Sequence, residues 1–391
     1  MNYKYDIFII GGGINGAGIA RDAAGRGLRV CLAEKGEIGG ATSSWSTKLI
    51  HGGLRYLENY EFKLVRESLI EREIIHRIAP NITKPIPFII PHSKKLRPTW
   101  LIKIGLFLYD NLGGKSVIPK SKLVNLSKEF PNLLKKNFTK GFQYYDVQVD
   151  DKKLTQLNAQ DAEKNKALIL ENTKVIKVER FCDHWNIYLE DDKIITSKIL
   201  INASGPWINE VVKDILKLSS KKSIRLVKGS HIIINKLYEQ KVAFTLQNVD
   251  KRIIFVIPYK GDFSLIGTTE VEVDSPENPK IDADEIQYLI NSVNNYFIKQ
   301  INQSDVIDTF SGIRPLIEDY KEASKVTRDY IFDLNIENKL SPLLSIYGGK
   351  LTTYRKLSDK VFEQLKEFLP SETGKPWTHK RTLTENEFND I

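Results

Sequence analysis

Residues that could bind and turn over a small molecule are concentrated in one short stretch, 51–56, which reads HGGLRY. Its two adjacent glycines allow the backbone to pass very close to another molecule. Arg55 then adds a fixed cation with several N–H donors, and Tyr56 adds a hydroxyl. Arginine matches phosphate or carboxylate oxygens with two parallel hydrogen bonds. The stretch therefore predicts an anionic ligand that is held against the main chain.

Two further cations lie in settings that are unusual for surface charges. Arg314 stands in the sequence SGIRPL, between Gly312 and Pro315, where the backbone has little freedom. Lys350 follows a Gly-Gly pair at the start of a predicted helix. A cation at that end opposes the helix dipole and therefore predicts an anionic partner. We expect Arg314 to hydrogen-bond a reacting oxygen and to stabilise the negative charge that develops on it.

The N-terminal sequence contains a glycine motif in a specific context. Gly11, Gly13 and Gly16 have the spacing G-x-G-x-x-G, between an apolar strand pattern and a helix pattern that stops at Gly27. Glu34 ends the strand pattern that follows. This βαβ arrangement is typical of dinucleotide binding. The glycines let the backbone reach a pyrophosphate at the helix N-terminus, and Glu34 can accept hydrogen bonds from ribose hydroxyls.

The segment after Glu34 indicates which dinucleotide is bound. Residues 36–53 form a long stretch rich in Gly, Ser and Thr directly after the second strand. A nicotinamide domain would normally proceed to its next helix at this point. A long polar loop suits a cofactor that extends further than the pyrophosphate, as a flavin does. The sequence therefore predicts FAD.

Patterns in the remaining chain predict a second domain inserted into the first. A helical pattern over 61–79 stops at Pro80, and a cluster of prolines follows. Short apolar runs over 224–269, separated by turn signals, are typical of an antiparallel sheet. The predicted fold class is α/β, with a Rossmann-like FAD-binding domain and a substrate domain built on an antiparallel sheet. The predicted boundaries are 1–80, 141–215 and 306–391 for the first domain, and 81–140 and 216–305 for the second.

Composition excludes several protein classes. The 391 residues are 41% hydrophobic and 27% charged, which is typical of a globular chain with a buried core. The net charge is +9, but no dense basic block with interleaved aromatics occurs, so nucleic acid is not an expected partner. The two cysteines form no metal-binding spacing and favour a reducing compartment. Without a signal peptide or an apolar run near ~20 residues, we expect a soluble or surface-bound protein.

Six segments of the chain share their pattern with one protein family. They are IGGGINGAGIARDAAGRG (10–27), TSSWSTKLIHGGLRYLE (42–58), KGSHIII (228–234), SGIRPL (311–316), VTRDY (326–330) and GGKLTTYRKLS (348–358). By these segments the chain resembles the FAD-dependent, quinone-linked glycerol-3-phosphate dehydrogenases. The resemblance implies an FAD-binding domain of the glutathione-reductase/D-amino-acid-oxidase type. The family usually continues into a helical C-terminal domain, which we expect this chain to lack.

The resemblance also assigns residues to a binding site. The implied catalytic residues are Arg314 and His231. The implied substrate-binding residues are Arg55, Tyr56, Arg328, Lys350 and Thr352. The implied cofactor-binding residues are Gly11, Gly12, Gly13, Gly16, Glu34, Thr42, Ser43, Ser46, Thr47, Lys48, His51, Gly52, Val175, Ala203, Gly205, Gly312 and Gly349. No metal ion is implied.

The implied reaction is the oxidation of sn-glycerol 3-phosphate to dihydroxyacetone phosphate. The flavin takes the hydride from C2, so the protein must hold the phosphate and remove the hydroxyl proton. Arg55 and Arg328 are the candidates for the phosphate. His231, Arg314 and His51 are alternative acceptors of the proton.

Electron transfer to a quinone implies contact with the membrane. Residues 94–115 begin with basic side chains and continue into an apolar run, which predicts either an interfacial element or an ordinary core helix. The implied partners are a membrane quinone and an anionic membrane surface, and a homodimer is left open. The implied location is cytoplasmic, at the inner face of the cell membrane.

Three alternatives to this function remain. An oxidase would pass the electrons to oxygen and release peroxide. An amine or amino-acid oxidase could share the fold, although the six segments argue against it. A catalytically silent flavoprotein is the third alternative, and the four intact cations of the predicted site argue against that one.

Overall fold

The computed structural model describes residues 3–93, 97–219, 222–317 and 329–384. Its strands are β1 (Tyr5–Ile10), β2 (Val30–Ala33), β3 (Leu49–Ile50), β4 (Thr83–His92), β5 (Lys122–Asn125), β6 (Lys140–Val149), β7 (Leu168–Leu170), β8 (Val175–Arg180), β9 (Trp185–Leu189), β10 (Ile194–Asn202), β11 (Ile224–Asn235), β12 (Ala243–Gln247), β13 (Ile253–Tyr259), β14 (Phe263–Gly267), β15 (Val271–Val273), β16 (Val306–Ile317), β17 (Tyr330–Asn335) and β18 (Leu343–Gly348).

Its α-helices are α1 (Ile14–Gly25), α2 (Phe62–Ile78), α3 (Thr99–Leu112), α4 (Leu126–Glu129), α5 (Asp151–Lys164), α6 (Ile208–Glu210), α7 (Ala283–Asn294) and α8 (Tyr354–Leu365). Three short 3-10 helices border the site described below, and they span Thr42–Ser44, Leu54–Asn59 and Leu351–Thr353. Among the described residues, no helix is long and apolar enough to cross a bilayer.

The first sheet is built around β1 and is mainly parallel. Its strands run in the order β17-β18-β10-β1-β2-β7, with β9 paired to β10 and β8 paired to β9. Ile9 lies opposite Leu32 of β2 on one side and Ile201 of β10 on the other. The continuous apolar run of β1 is explained by burial on both faces of the sheet. The predicted Rossmann-like βαβ unit, β1-α1-β2, is confirmed.

The second sheet is mainly antiparallel, as the apolar runs over 224–269 predict. Its strands run in the order β15-β11-β14-β13-β12-β4-β6-β3, with β16 paired to β11 and β5 paired to β6. The pair β12–β4 is the parallel exception. Helix α7 packs on this sheet, since its buried Leu289, Ile290 and Val293 belong to the same apolar cluster as Ile232 and Phe244. The predicted antiparallel sheet of the second domain is confirmed.

Two segments lie in a different sheet from the one that the predicted boundaries imply. Residues 141–149 belong to β6, which pairs with β4 along its whole length in the second sheet. Residues 306–317 form β16, which pairs with β11 in the same sheet. The predicted boundaries place both segments in the first domain. The reason for the difference is that strand character is visible in a sequence, whereas the partner strand is chosen by tertiary packing.

Candidate active site

One large cavity lies between the two sheets. Its volume is about 790 Å³, which is within the usual range for a small-molecule site. Ile10, Glu34 and Ala203 line it at or just beyond the carboxyl ends of β1, β2 and β10. Ligands of open α/β sheets bind at this edge. The second sheet closes the cavity on the other side, with Thr245 and Phe255 among the lining residues.

The turn between β1 and α1 is shaped for a ligand that approaches the backbone. Gly11 has a φ of +106°, and a Cβ there would lie 2.7 Å from the carbonyl oxygen of Ala203. Gly13 lines the cavity and is the N-cap residue of α1, whose first turn contains no acidic side chain. The Ile14 N–H donates to Ser43 Oγ at 2.9 Å. The positive end of the helix dipole therefore faces the cavity, where it favours an anion.

The carboxylate of Glu34 is fixed in the cavity wall by two backbone donors. The Gly12 N–H donates to Oε2 at 2.6 Å, and the Gly36 N–H donates to Oε1 at 3.0 Å. Each oxygen keeps further lone pairs for a ligand. This arrangement can accept hydrogen bonds from a pair of ribose hydroxyls.

Cations from distant parts of the chain meet in the same cavity. Arg55, Arg314 and Lys350 all line it. Arg314 Nη2 donates to Thr268 Oγ1 at 2.9 Å, so the guanidinium has a set orientation. Gly229 makes room for it, because a Cβ at that position would lie 2.5 Å from Nη2. Such a set of positive charges can hold a phosphate and stabilise an oxyanion beside it.

Contacts beside the cations link the stretch 51–56 to residues 350–352. Lys350 Nζ donates to Ser68 Oγ at 2.6 Å and lies 4.9 Å from the ring centre of Tyr56. The buried Thr352 Oγ1 accepts from the His51 N–H at 3.2 Å. The predicted substrate residues Arg55, Tyr56, Lys350 and Thr352 are thus brought together.

Comparison with known proteins identifies the kind of site. The family model described as FAD dependent oxidoreductase matches residues 6–355. The chain belongs to the FAD-dependent oxidoreductases. A D-erythritol 1-phosphate dehydrogenase of Brucella abortus is 46% identical to it over 386 residues, which cover 97% of this chain and 76% of that protein. The aerobic glycerol-3-phosphate dehydrogenase of Escherichia coli is also 46% identical, with the same coverage.

A solved structure agrees with this assignment. The glycerol-3-phosphate dehydrogenase of Bacillus halodurans, in complex with FAD, superimposes with a TM-score of 0.75 at 27% sequence identity. The superposition covers 97% of this chain and 67% of that one. The resemblance predicted from the six segments is therefore confirmed for the family and for the fold.

The cofactor of this FAD-dependent oxidoreductase is FAD, and the cavity residues fit it. Gly11 and Gly13 leave open the space that a pyrophosphate needs at the start of α1, and Glu34 suits the adenosine ribose. The loop after β2 lines the same cavity as the cations Arg55, Arg314 and Lys350. When bound, FAD supplies the hydride acceptor of the reaction.

Most of the residues predicted to bind FAD line the cavity of the oxidoreductase. These are Gly11, Gly13, Glu34, Thr42, Ser43, Ser46, Thr47, His51, Val175, Ala203, Gly205, Gly312 and Gly349. The other four, Gly12, Gly16, Lys48 and Gly52, do not line it. A Cβ on Gly12 would lie 2.4 Å from Ile38 Cδ1, and one on Gly52 would lie 2.5 Å from Leu69 Cδ2. These two glycines therefore allow close packing behind the wall.

A buried carboxylate that sequence reasoning did not identify fixes the loop 36–53 at Ser46 and Lys48. Asp151, at the start of α5, is fully buried. The backbone N–H and the hydroxyl of Ser46 donate to its Oδ2 at 3.1 and 2.6 Å, and Lys48 Nζ donates to Oδ1 at 2.7 Å. Thr47, between these two residues, lines the cavity. Asp151 therefore sets the position of the wall that Thr47 forms.

The variant Asp151→Asn is expected to lose about 2–3 kcal/mol of holoprotein stability and to retain less FAD. It leaves the Lys48 ammonium beside a neutral amide, and the cost stays below the roughly 3–5 kcal/mol of a fully buried pair because Lys48 is partly exposed. Urea unfolding and the ratio of bound FAD to protein after desalting measure both effects. Asp191→Asn, which breaks the surface pair with Lys193, is the control. Equal results for the two variants would contradict the role of Asp151.

The second predicted catalytic residue, His231, lies behind the cavity wall. His231 is buried and does not line the cavity, and its Nε2 lies 3.0 Å from Thr47 Oγ1. Burial, with Arg314 and Lys48 nearby, holds the pKa of His231 well below its usual value, so the imidazole is neutral. Arg328 lies outside the described residues.

A cluster at the Glu34 end of the cavity was also not predicted. Lys35 Nζ lies 4.0 Å from the ring centre of Trp207, and both side chains contact the carboxylate of Glu277, at 3.1 Å for Lys35 and 2.5 Å for Trp207. The hydrogen bond from Trp207, together with Lys35, lowers the pKa of Glu277. The cluster connects segments that are far apart in the chain, so no local pattern indicates it.

Proposed function

We propose that this oxidoreductase oxidises sn-glycerol 3-phosphate to dihydroxyacetone phosphate and passes the electrons to a membrane quinone. The observation that carries the proposal is the convergence of Arg55, Arg314 and Lys350 on the cavity that also contains the glycine turn. A phosphorylated alcohol needs fixed cations for its phosphate next to a hydride acceptor. The relatives that are named glycerol-3-phosphate dehydrogenase support the same substrate.

In this proposal Arg55 binds the phosphate. Its side chain is half-buried in the cavity wall, and no carboxylate of the described residues pairs with it. A guanidinium that has no carboxylate partner among the described residues can bind phosphate with two hydrogen bonds. The contribution of Arg328 to the phosphate stays a prediction from the sequence.

In this proposal His51 accepts the hydroxyl proton of the substrate. An arginine side chain stays protonated in proteins, so Arg314 is not the acceptor of the proton. Of the two candidate histidines, His51 lines the cavity and His231 does not. The bond from the His51 backbone to Thr352 holds this residue beside the cations.

Arg55→Ala is expected to lower kcat/KM for sn-glycerol 3-phosphate by roughly 10- to 150-fold, because a hydrogen bond to a charged group contributes about 1.5–3 kcal/mol. Slow turnover of unphosphorylated glycerol should hardly change, since it has no phosphate to lose. Arg55→Lys should recover part of the loss, because it keeps the charge without the fork. Steady-state kinetics with an artificial electron acceptor measure this.

The matched control for Arg55 is Arg66→Ala, which removes an exposed arginine from α2 and should change kcat/KM by less than about twofold. If Arg55→Ala behaves like Arg66→Ala, the phosphate is bound elsewhere in the cavity.

A four-carbon polyol phosphate is the second candidate substrate. The relative from Brucella abortus that is named D-erythritol 1-phosphate dehydrogenase is as similar as the glycerol-3-phosphate dehydrogenases of Pseudomonas aeruginosa and Escherichia coli, at 46% identity. The test compares kcat/KM for sn-glycerol 3-phosphate and D-erythritol 1-phosphate with the same artificial acceptor. A higher value for the three-carbon substrate supports the proposal, and a higher value for the four-carbon one replaces it.

Helix α3 supports the proposed contact with the membrane. Ile102, Leu106 and Tyr109 are buried on one of its faces, as in a core helix. On the other face Trp100 is 63% exposed and Phe107 is 66% exposed. Exposed aromatic side chains of this kind suit the headgroup region of a bilayer. Leu101, Ile104 and Leu108 of the same helix line the cavity, which supports quinone access from this side.

Phe107→Ser is expected to weaken binding to anionic liposomes about tenfold, because burying a large apolar side chain contributes roughly 1.5–3 kcal/mol and this one would insert only in part. Co-sedimentation at low salt measures the change. Val249→Ser is the control, since Val249 is 99% exposed and lies on the β12–β13 turn. Equal losses in the two variants, or none in either, would remove α3 from the membrane contact.

Of the basic residues before α3, Arg97 has partners within the protein. Lys94 and Lys95 lie outside the described residues. Arg97 is already bound to Glu58 and donates from Nη1 to Gln247 Oε1 at 2.9 Å. Because the Arg97 charge is paired with Glu58, we place the membrane contact on the exposed apolar face of α3.

The oxidase alternative differs in its electron acceptor. Turnover that depends on oxygen and releases peroxide would favour the oxidase.

A further inference from the structure

A buried histidine stands behind one hydroxyl of the cavity wall. His231, on β11, is only 1% exposed, and its Nε2 lies 3.0 Å from Thr47 Oγ1. Its ring stacks on Phe310, with centroids 4.6 Å apart and planes 19° apart. A Cβ on Gly267 would lie 2.1 Å from its Cδ2, so the absence of a side chain at Gly267 leaves room for the imidazole. The packing gives this ring one position.

The hydrogen-bond partners of His231 select its tautomer. Its Nδ1 is buried and has no partner among the described residues. If Nδ1 carried the proton, a buried N–H would lack an acceptor, whereas the other tautomer leaves only a lone pair unpaired. Buried donors without an acceptor are the rarer of the two cases. The neutral imidazole therefore carries its proton on Nε2 and donates it to Thr47.

This tautomer determines what the Thr47 hydroxyl can do. Its oxygen accepts from His231, so its own proton is free to point elsewhere. Thr47 lines the cavity, and its backbone is held on both sides by the bonds of Ser46 and Lys48 to Asp151. The same loop contacts the glycine turn through Ser43. The hydroxyl proton of Thr47 is thus available to a ligand in the cavity that Thr47 lines.

We infer that His231 is a positioning residue that donates to Thr47 Oγ1 and so presents the Thr47 hydroxyl as a fixed hydrogen-bond donor to the flavin ring. A flavin ring has nitrogen and carbonyl acceptors, and they become more electron-rich on reduction. A fixed donor therefore stabilises the reduced form more than the oxidised form. This role concerns FAD alone, so it does not depend on which polyol phosphate is the substrate.

The test uses the visible spectrum and the reduction potential of the bound flavin in the holoprotein. Thr47→Val removes the donor and is expected to shift the equilibrium between reduced and oxidised flavin about tenfold toward the oxidised form, with an altered visible spectrum. Thr47→Ser keeps a hydroxyl and should restore most of the potential. His231→Phe fills the same space but releases the hydroxyl, so it should shift the potential in the same direction by a smaller amount.

The double variant Thr47→Val/His231→Phe distinguishes a positioning role from a direct one. If His231 acts only through Thr47, the double variant has the potential of Thr47→Val alone. A further shift in the double variant, or an unchanged potential in Thr47→Val, would overturn the inference. If His231→Phe does not fold with FAD, His231→Gln replaces it. Its amide can donate to Thr47, so a potential near that of the wild type is expected, and a shift as large as that of Thr47→Val would count against the inference.

Discussion

Arg314→Ala is expected to lower kcat for sn-glycerol 3-phosphate by about 100- to 1,000-fold, the usual effect of removing one donor from a developing oxyanion. The bond from Nη2 to Thr268 at 2.9 Å and the space left by Gly229 fix the guanidinium before any substrate arrives. A donor that needs no reorganisation stabilises the transition state more than the ground state. The loss should therefore fall on kcat, and turnover of unphosphorylated glycerol should fall as well.

The division of effects between kcat and KM distinguishes Arg314 from Arg55. Steady-state kinetics with an artificial electron acceptor measure both constants, and the flavin content of each variant is determined first. Arg314→Lys should recover little of the lost kcat. An ammonium lacks the planar fork with which Arg314 can bond Thr268 and the reacting oxygen together. If Arg314→Ala raises KM and leaves kcat unchanged, Arg314 binds the phosphate and the roles of the two arginines are exchanged.

Gly16→Val is expected to yield protein that is devoid of FAD or unable to fold. A Cβ at position 16 would lie 1.9 Å from the carbonyl oxygen of Gly11, which forms the glycine turn, and 3.4 Å from Ile9 Cγ2. Since Gly16 does not line the cavity, we expect the loss of FAD to result from disruption of the close packing of α1 against the turn. Contact with the pyrophosphate belongs instead to Gly11 and Gly13.

The ratio of flavin absorbance to protein absorbance after purification measures the effect at position 16. Gly16→Ala should already lower the ratio, because the clash is with the first side-chain carbon. Gly36→Ala is the control, since a Cβ there has its nearest neighbour at 3.9 Å. A full flavin complement in Gly16→Val would show that the glycine turn tolerates a side chain and would contradict this account of the turn.

The parts of the site that could be predicted from the sequence are local. Gly11, Gly13 and Glu34 belong to one βαβ unit, and the order strand, glycine turn, helix, strand determines where they lie. The position of Arg55 follows similarly from the two glycines before it. In each case the chemistry and the element that positions it are within a few residues of each other.

The parts that could not be predicted depend on tertiary packing. Lys228–Ile234 of β11 are all buried, so the alternation that would indicate which way His231 points is absent. Asp151 acts on a loop that is about one hundred residues away, and Glu277 contacts two residues of the first sheet's domain. Only the packing of α5 and of the second sheet places Asp151 behind the cavity wall and Glu277 in it.

The central claim is that the protein, with FAD bound in this cavity, oxidises a glycerol phosphate. Anaerobic mixing of the purified holoprotein with sn-glycerol 3-phosphate, while the visible flavin absorbance is followed, tests it most directly. We expect sn-glycerol 3-phosphate to bleach the absorbance of the oxidised flavin, and glycerol to bleach it much more slowly. An absorbance that stays unchanged with sn-glycerol 3-phosphate, in protein whose flavin is bleached by dithionite, would contradict it.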